Sequence, residues 1–444
     1  MNRSTLIRLT CALTCLAALP LNGCKVGDSD DDDLDGSFHE DDASTPADAA
    51  VDASDPGNNE DAGDDDEDSG ADPGDEDGGI EPPTPFMPES VAPTDALIES
   101  LQVPSGFELN VYRRELGHAR MLITHGDHVY LTRPMQGDVL RLIDDDADGV
   151  AESHLVVASK LPGVHGIAFN GTTVFLATPT SVYTATVDAS GAFSTPAAII
   201  TDLPDGAQHP NRTLGIGPDS KLYISVGSSC NACAETNVEH ATLLRAELDG
   251  SARTTYASGL RNTIGFEWHP TTGALWGMDH GTDWLGDDVP PEELNRLEAG
   301  ENYGWPYCYA DQQIDPIMGD PPDTTKEAYC AMTAAPELTV QAHGAPIAFT
   351  FYDGASFPQT HRQSAFIALR GSWNRTEATG YKIVRLIFND VGEPVEFDDF
   401  VTGFLIENGT AQFARLAGVA VAPDGALLFS DDENGVVYRV QATP

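Results

Sequence analysis

His209 opens the segment His209-Pro-Asn-Arg-Thr-Leu-Gly-Ile-Gly-Pro-Asp219. An imidazole titrates near neutrality, so it suits the removal of a proton from an alcohol hydroxyl. Read alone, a histidine beside proline in a loop is as readily a satisfied surface residue. His165 and His343 stand at comparable places before apolar runs. The folded part is short of lysine, which makes its arginines informative, and guanidinium groups suit planar carboxylates. Arg120, Arg261 with Asn262, and Arg415 each lead into an apolar run. A surface salt bridge is the plain alternative for each. Arg212, three residues after His209, could be a strand residue paired with an acid. Asp144, Asp146, Asp148 and Gly149 follow the spacing of a calcium loop. The bidentate glutamate is missing at its usual distance, and an exposed hairpin turn in 144–152 is the alternative.

Such scattered groups need a scaffold that brings them together. One unit recurs: an apolar strand, a turn with Gly, Pro, Asp or Asn, and a second apolar strand. Its copies are Met121–Leu131, Gly166–Leu176, Leu214–Ile224, Gly265–Leu275, a weaker one near Ile347–Ile367, and Gly418–Leu428. The first four start about 45 to 50 residues apart. That period fits four-stranded propeller blades and does not fit a β-sandwich. The expected fold is all-β, a six-bladed β-propeller over 93–444. Its inner strands line a channel, and the loops at one end converge.

What precedes it differs in kind. Met1-Asn2-Arg3 carries a positive charge, and the apolar run Leu6–Leu21 ends in Leu21-Asn22-Gly23-Cys24. This reads as a secretory signal over 1–23 with Cys24 as a lipidation site. The expected location is extracytoplasmic and membrane-anchored, with a mild preference for the outer membrane because Lys25, not Asp, follows the cysteine. Residues 25–80 hold 23 Asp or Glu against one Lys, nearly half of the net charge of −48. Too little apolar surface is present to offset ordering entropy, so 24–92 is expected to be a disordered Asp-rich tether, extended by like charge. Weak calcium binding by its acidic clusters is a second reading. Such acidity argues against nucleic acid as a partner. After Cys11, Cys15 and Cys24, four cysteines remain, and an oxidising compartment implies two disulfides. Proximity pairs Cys230 with Cys233 and Cys308 with Cys330. Redox activity or zinc binding at Cys230-x-x-Cys233 is left open.

Three segments carry a family resemblance. Gly259-Leu-Arg-Asn262 is followed by Met278-Asp-His-Gly-Thr282 and by Asn302-Tyr-Gly-Trp-Pro306; His209 leads into Gly217-Pro-Asp-Ser-Lys-Leu-Tyr223; and Arg370-Gly-Ser-Trp-Asn-Arg375 lies further on. From about residue 104 onward the chain resembles the quinoprotein glucose/sorbosone dehydrogenases, in the sorbosone/pyranose branch. The resemblance implies an oxidoreductase that oxidises a sugar or related alcohol with pyrroloquinoline quinone and calcium. His209 is then the base, and Arg261 steadies the quinone oxygen. Arg120, His165, Asn262, His343, Trp373 and Arg415 contact the cofactor. Trp373 could instead simply fill the fold. The carbonyls of Gly281 and Thr282 would hold the calcium at the quinone. Glu293 and the carbonyl of Tyr303, with Asp311 as a possible third, would hold a structural calcium. Arg370 stands where the family usually has histidine, which puts the substrate contacts there in question. An external electron acceptor such as a cytochrome or quinone is implied as a partner. A non-enzymatic surface propeller and a calcium-dependent lactonase are the alternative readings.

Overall fold

The computed structural model describes residues 87–443. Cys24, the expected signal peptide and the acidic stretch through Phe86 lie outside the described residues. Residues 87–92, assigned to the tether by composition, belong to the folded unit. Glu89–Ser90 pairs in parallel with Ala411–Gln412, and a short helix, Asp95–Glu99, is capped by the Thr94 side chain accepting from Leu97 N–H. The expected boundary at residue 92 is therefore too late. This stretch carries one acid and offers backbone groups that find partners. Among the described residues no helix is long and apolar enough to cross a membrane.

Among the described residues, six four-stranded antiparallel sheets make up the body. Each copy of the repeated unit is the innermost hairpin of one sheet. The innermost strands are Leu122–His125, Gly166–Asn170, Leu214–Ile216, Gly265–Trp268, Pro346–Phe351 and Leu416–Val421. The last sheet is closed by the start of the folded chain: Phe107–Arg113 pairs with Val436–Ala442, placing Leu109 opposite Val440. Turn chemistry follows the expected residues. In Pro423-Asp-Gly425 the Asp424 carboxylate accepts from Ala426 N–H at 3.1 Å, and Gly425 takes φ +88°.

Inner strands meet start to start. A Cβ on Gly166 would lie 2.4 Å from Arg212 O, and one on Gly418 would lie 2.5 Å from Arg120 O. Only glycine permits that approach. Residues just before the inner strands therefore share one end of the axis. Ile264, Ile347 and Ala417, with Met121 packed against them, form an apolar cluster at the strand starts. A cavity of about 630 Å³ lies along the inner strands toward their other ends, lined by Thr124, Ala168, Ile216, Trp268, Phe351 and Asp424.

The fourth sheet carries an insertion between Glu292–Arg296 and its outermost strand Leu338–Val340. There the disulfide Cys308–Cys330 ties the short strand Cys308–Tyr309 to the helix Lys326–Cys330. Replacing both cysteines with serine should lower unfolding free energy by about 3 kcal/mol, measured by urea denaturation, since the open chain regains loop entropy.

Candidate active site

His209 lies in the loop before Leu214–Ile216. Its Nδ1 is 2.9 Å from Ser228 O and 3.0 Å from Ser228 Oγ. The Ser228 hydroxyl donates to Cys230 O at 2.7 Å, so both groups facing Nδ1 are acceptors. The ring proton therefore resides on Nδ1, and Nε2 keeps its lone pair. Burial, then the charge of Arg261, push the His209 pKa down to about 3, which holds the ring neutral. Arg212 fixes this loop. It is wholly buried and donates to the carbonyls of His209 at 2.7 Å, Asp205 at 2.9 Å, Pro179 at 3.1 Å, Pro204 at 3.2 Å and Asn211 at 3.3 Å. The acid expected as its possible partner is replaced by carbonyls, because the loop folds back over the guanidinium.

Arg261 and Asn262 sit across from His209. A Cβ on Gly227 would meet His209 Cβ at 2.6 Å and Asn262 Oδ1 at 2.7 Å, so His209 and Asn262 flank Gly227 at close range. The backbone N–H groups of Arg261 and Asn262 both donate to the Asp279 carboxylate at 2.9 Å. The Arg261 guanidinium donates to Asp283 at 2.7 Å and to Asn231 O and Oδ1 at 3.0 and 2.9 Å. Asp283 also accepts from Asn374 Nδ2 at 2.9 Å, and that nitrogen lies 3.5 Å from His343 Nδ1. His343 Nε2 is 2.9 Å from Gly286 O, and His343 holds φ +64°, a left-handed conformation unusual for its type. Trp373 does not fill the sheet: it is 43% exposed and packs edge-to-face on Trp284 at 5.1 Å.

A second group of arginines gathers around Asp432. This carboxylate is wholly buried; it accepts from Arg120 at 2.5 Å and from Arg370. Both guanidiniums hold its pKa below the usual range despite burial. Arg415 donates its backbone N–H to Asp431 and one side-chain N–H to Gly371 O at 3.2 Å; its guanidinium also lies 5.5 Å over the Tyr381 ring. Among the described residues no carboxylate lies within ion-pair distance of Arg415. His165 is fully buried, neither ring nitrogen has a partner, and burial with the Arg120 charge holds its pKa well down. Arg120, His165, His209, Arg261, Asn262, His343 and Arg415 thus all stand at one end of the axis.

The expected metal residues divide. Gly281 N–H donates to Glu292 Oε2 at 3.1 Å, and Thr282 is buried beside it. Glu293 is buried; its Oε1 accepts from Ala310 N–H at 2.6 Å and its Oε2 from Asn295 Nδ2 at 3.2 Å. Burial and the nearby Asp279 push its pKa up to about 8, and Asn295 Oδ1 is buried without a partner. The Tyr303 hydroxyl is engaged with Arg296 O at 2.5 Å. Asp311 is exposed, and its side chain is not part of this cluster. In the acidic loop, ligand atoms of Asp144, Asp146, Asp148 and Glu152 lie within 4.8 Å of one another. Both disulfides pair as expected.

Asn231, Asp283, Trp284 and Asp432 are site residues that sequence reasoning did not single out. Asp283 and Trp284 directly follow Gly281-Thr282, which was the available signal for them. Asp432 gave none, since an aspartate after a strand usually marks a turn.

Four-stranded sheets around an axis, with arginines and a neutral histidine at one end, define an all-β propeller-like protein with a site at the channel mouth. The chain belongs to the TrAA12-like family, whose model matches residues 101–443. It is 34% identical over 236 residues to an uncharacterised protein of Borreliella burgdorferi, covering 52% of this chain and 60% of that protein's length. It is 26% identical over 336 residues to a pyrroloquinoline quinone-dependent sugar dehydrogenase of Hypocrea jecorina, covering 62% of this chain and 74% of that enzyme. Among solved structures, the holo form of the quinone domain of Coprinopsis cinerea pyranose dehydrogenase matches with TM-score 0.65 and 20% identity, over 77% of this chain and 97% of that one. A calcium structure of the Trichoderma reesei family AA12 carbohydrate-active enzyme matches with TM-score 0.67 and 22% identity, over 82% and 99%. At such identities the structural likeness establishes the fold. The family reading made from the Gly-Leu-Arg-Asn and Asn-Tyr-Gly-Trp-Pro segments stands.

Proposed function

We propose that this chain is a pyrroloquinoline quinone- and calcium-dependent dehydrogenase of sugars or related alcohols, built as a six-bladed propeller. One observation carries the reading: a neutral histidine with a free Nε2 lies beside Arg261, at the same end of the axis as Arg120, Arg370 and Arg415. Arg120 and Arg370 share the carboxylate of Asp432, and Arg415 beside them has no ion-pair partner among the described residues, so guanidiniums outnumber the carboxylate they pair with, as a tricarboxylate ligand requires. Buried polar atoms without partners support the fit: both nitrogens of His165, Nε of Arg415 and Oδ1 of Asn374. These residues, with Asn262 and His343, would hold the quinone. The bound quinone supplies the two-electron acceptor, and calcium at the Gly281 and Thr282 carbonyls supplies a Lewis acid. His209 Nε2 takes the substrate hydroxyl proton, Ser228 keeps the ring in the right tautomer, and Arg261 stabilises negative charge as it develops. The exposed Trp284–Trp373 pair offers apolar faces to a sugar ring. In this reading the protein is a lipoprotein anchored through Cys24 outside the cytoplasm, passing electrons to an external acceptor.

The test is reconstitution. Purified apo-protein mixed with the quinone and calcium should gain dye-linked dehydrogenase activity on a panel of pyranoses, aldoses and sorbosone. Lactone hydrolysis without quinone, or inertness in both assays, overturns the proposal.

Calcium should also change how stability depends on pH. Asp279 and Glu293 are raised to about 6 and about 8, chiefly by burial. Their folded values exceed the unfolded ones, so their contribution is present in acid and lost as pH rises through 6 to 8. A cation accepted by the ionised pair reverses that penalty. The melting temperature of chelator-treated protein should therefore fall from pH 5.5 to pH 8.5, while calcium-loaded protein holds level, roughly 5 °C or more apart at the alkaline end. Parallel curves would show that no cation binds there.

A further inference from the structure

Asn231 occupies the four-residue loop that the Cys230–Cys233 disulfide closes. Every polar side-chain atom it has is used, and its carbonyl accepts twice. Asn231 O accepts from Arg261 Nε at 3.0 Å and from Trp305 Nε1 at 3.1 Å. Asn231 Oδ1 accepts from Arg261 Nη2 at 2.9 Å and from Asp283 N–H at 2.7 Å. Its Nδ2 donates to Asp283 O at 3.1 Å.

The same loop reaches His209. Cys230 O accepts the Ser228 hydroxyl, which is what leaves Ser228 Oγ an acceptor toward His209 Nδ1. Ser228 N–H donates to Arg261 O at 2.8 Å. On the far side, Ser229 N–H and hydroxyl are held by Glu235 at 2.6 and 2.7 Å. A half-buried segment therefore reaches both members of the proposed reacting pair. A closed ring of this size restricts the backbone at Asn231 far more than an open loop could.

We infer that Asn231, held by the Cys230–Cys233 ring, is the positioning residue that sets Arg261 against His209. The inference rests on the reading of those two residues as the reacting pair. Its action is through geometry: two fixed acceptors along the Nε–Nη2 edge of the planar guanidinium, and Asp283 accepting from the same Nη2, leave Arg261 a single orientation.

The test uses the full chain as parent, Asn231→Ala, the double variant Cys230→Ser/Cys233→Ser, and the triple combination. In apo-protein, His209 ring-proton resonances are titrated by NMR. Arg261 stands among the charges that depress this titration, so releasing it in Asn231→Ala should raise the midpoint by roughly half a pH unit or more. In quinone- and calcium-loaded protein, kcat should fall roughly 10- to 100-fold, with KM for sugar within about 2-fold. The serine pair should reproduce both changes, and the triple variant should add little to either, since all act on one element. An unmoved His209 titration with parental kcat overturns the inference. So do additive losses, or losses matched by a collapse in melting temperature. Should the parent itself bind no quinone, the function reading fails, while the apo-protein titration still decides whether Asn231 sets Arg261.

Discussion

His209→Asn enzyme, loaded with quinone and calcium, is expected to turn over about a thousand times more slowly than the parent while binding the quinone with similar affinity. Asparagine can still donate from its amide to Ser228 O, so the loop held by Arg212 keeps its course. What disappears is the lone pair of Nε2. Ser228 presents acceptors to Nδ1 from both its carbonyl and its hydroxyl, and this makes His209 a base by construction rather than by pKa. The depressed pKa of about 3 adds a pH signature. A lowered folded value means that neutral, base-competent His209 persists well below pH 6.5, so kcat/KM should keep its plateau into the acid range. Stability should show the linked effect: the contribution is complete above about 6.5 and is lost as pH falls toward 3, because the unfolded chain binds the proton more readily. An anionic cofactor raises that pKa by favouring imidazolium. The acid limb of kcat/KM in the loaded enzyme should then lie at higher pH than the His209 midpoint of the apo-protein. Activity within 10-fold of the parent in His209→Asn would remove His209 from the mechanism.

The second large effect lies across the channel mouth. Asp432→Ala is expected to destabilise the fold by about 3–5 kcal/mol in urea denaturation, because it strands Arg120 and Arg370 without their carboxylate. Arg120 is buried and cannot regain water without opening the sheet contact at Gly418. Added quinone should raise the melting temperature of this variant more than that of the parent, since ligand carboxylates replace the missing charge. Arg370→His, the residue usual in the related segment, should relieve part of the crowding and weaken quinone binding by removing one cation. A variant as stable as the parent, with no extra gain from quinone, would mean that the arginine group is an ordinary ion-pair network.

The blades were legible because their inner hairpins repeat: apolar alternation and Gly/Pro/Asp turns are local properties, and local backbone preferences suffice to write them. The early set His165, His209, Arg261, Asn262, His343 and Arg415 was legible for a related reason, since each sits within five residues before an inner strand, and the segments that lead into the inner strands of a ring of sheets come to one end. Cys308–Cys330 and Cys230–Cys233 followed from proximity along the chain. Asp432, Asp283 and Asn231 could not be read that way. Each takes its meaning from partners on other sheets: Asp432 from Arg120, 312 residues away, and Asn231 from Asp283 and Trp305, 52 and 74 residues away. The amino-acid sequence determined the repeat, the strand starts and the residue types offered to the site. Tertiary structure alone decided which charges neutralise one another, which histidine nitrogen carries the proton and why Asp311 faces water. Those outcomes depend on burial and on distances closed only when sheets far apart in the chain pack edge to edge around the axis.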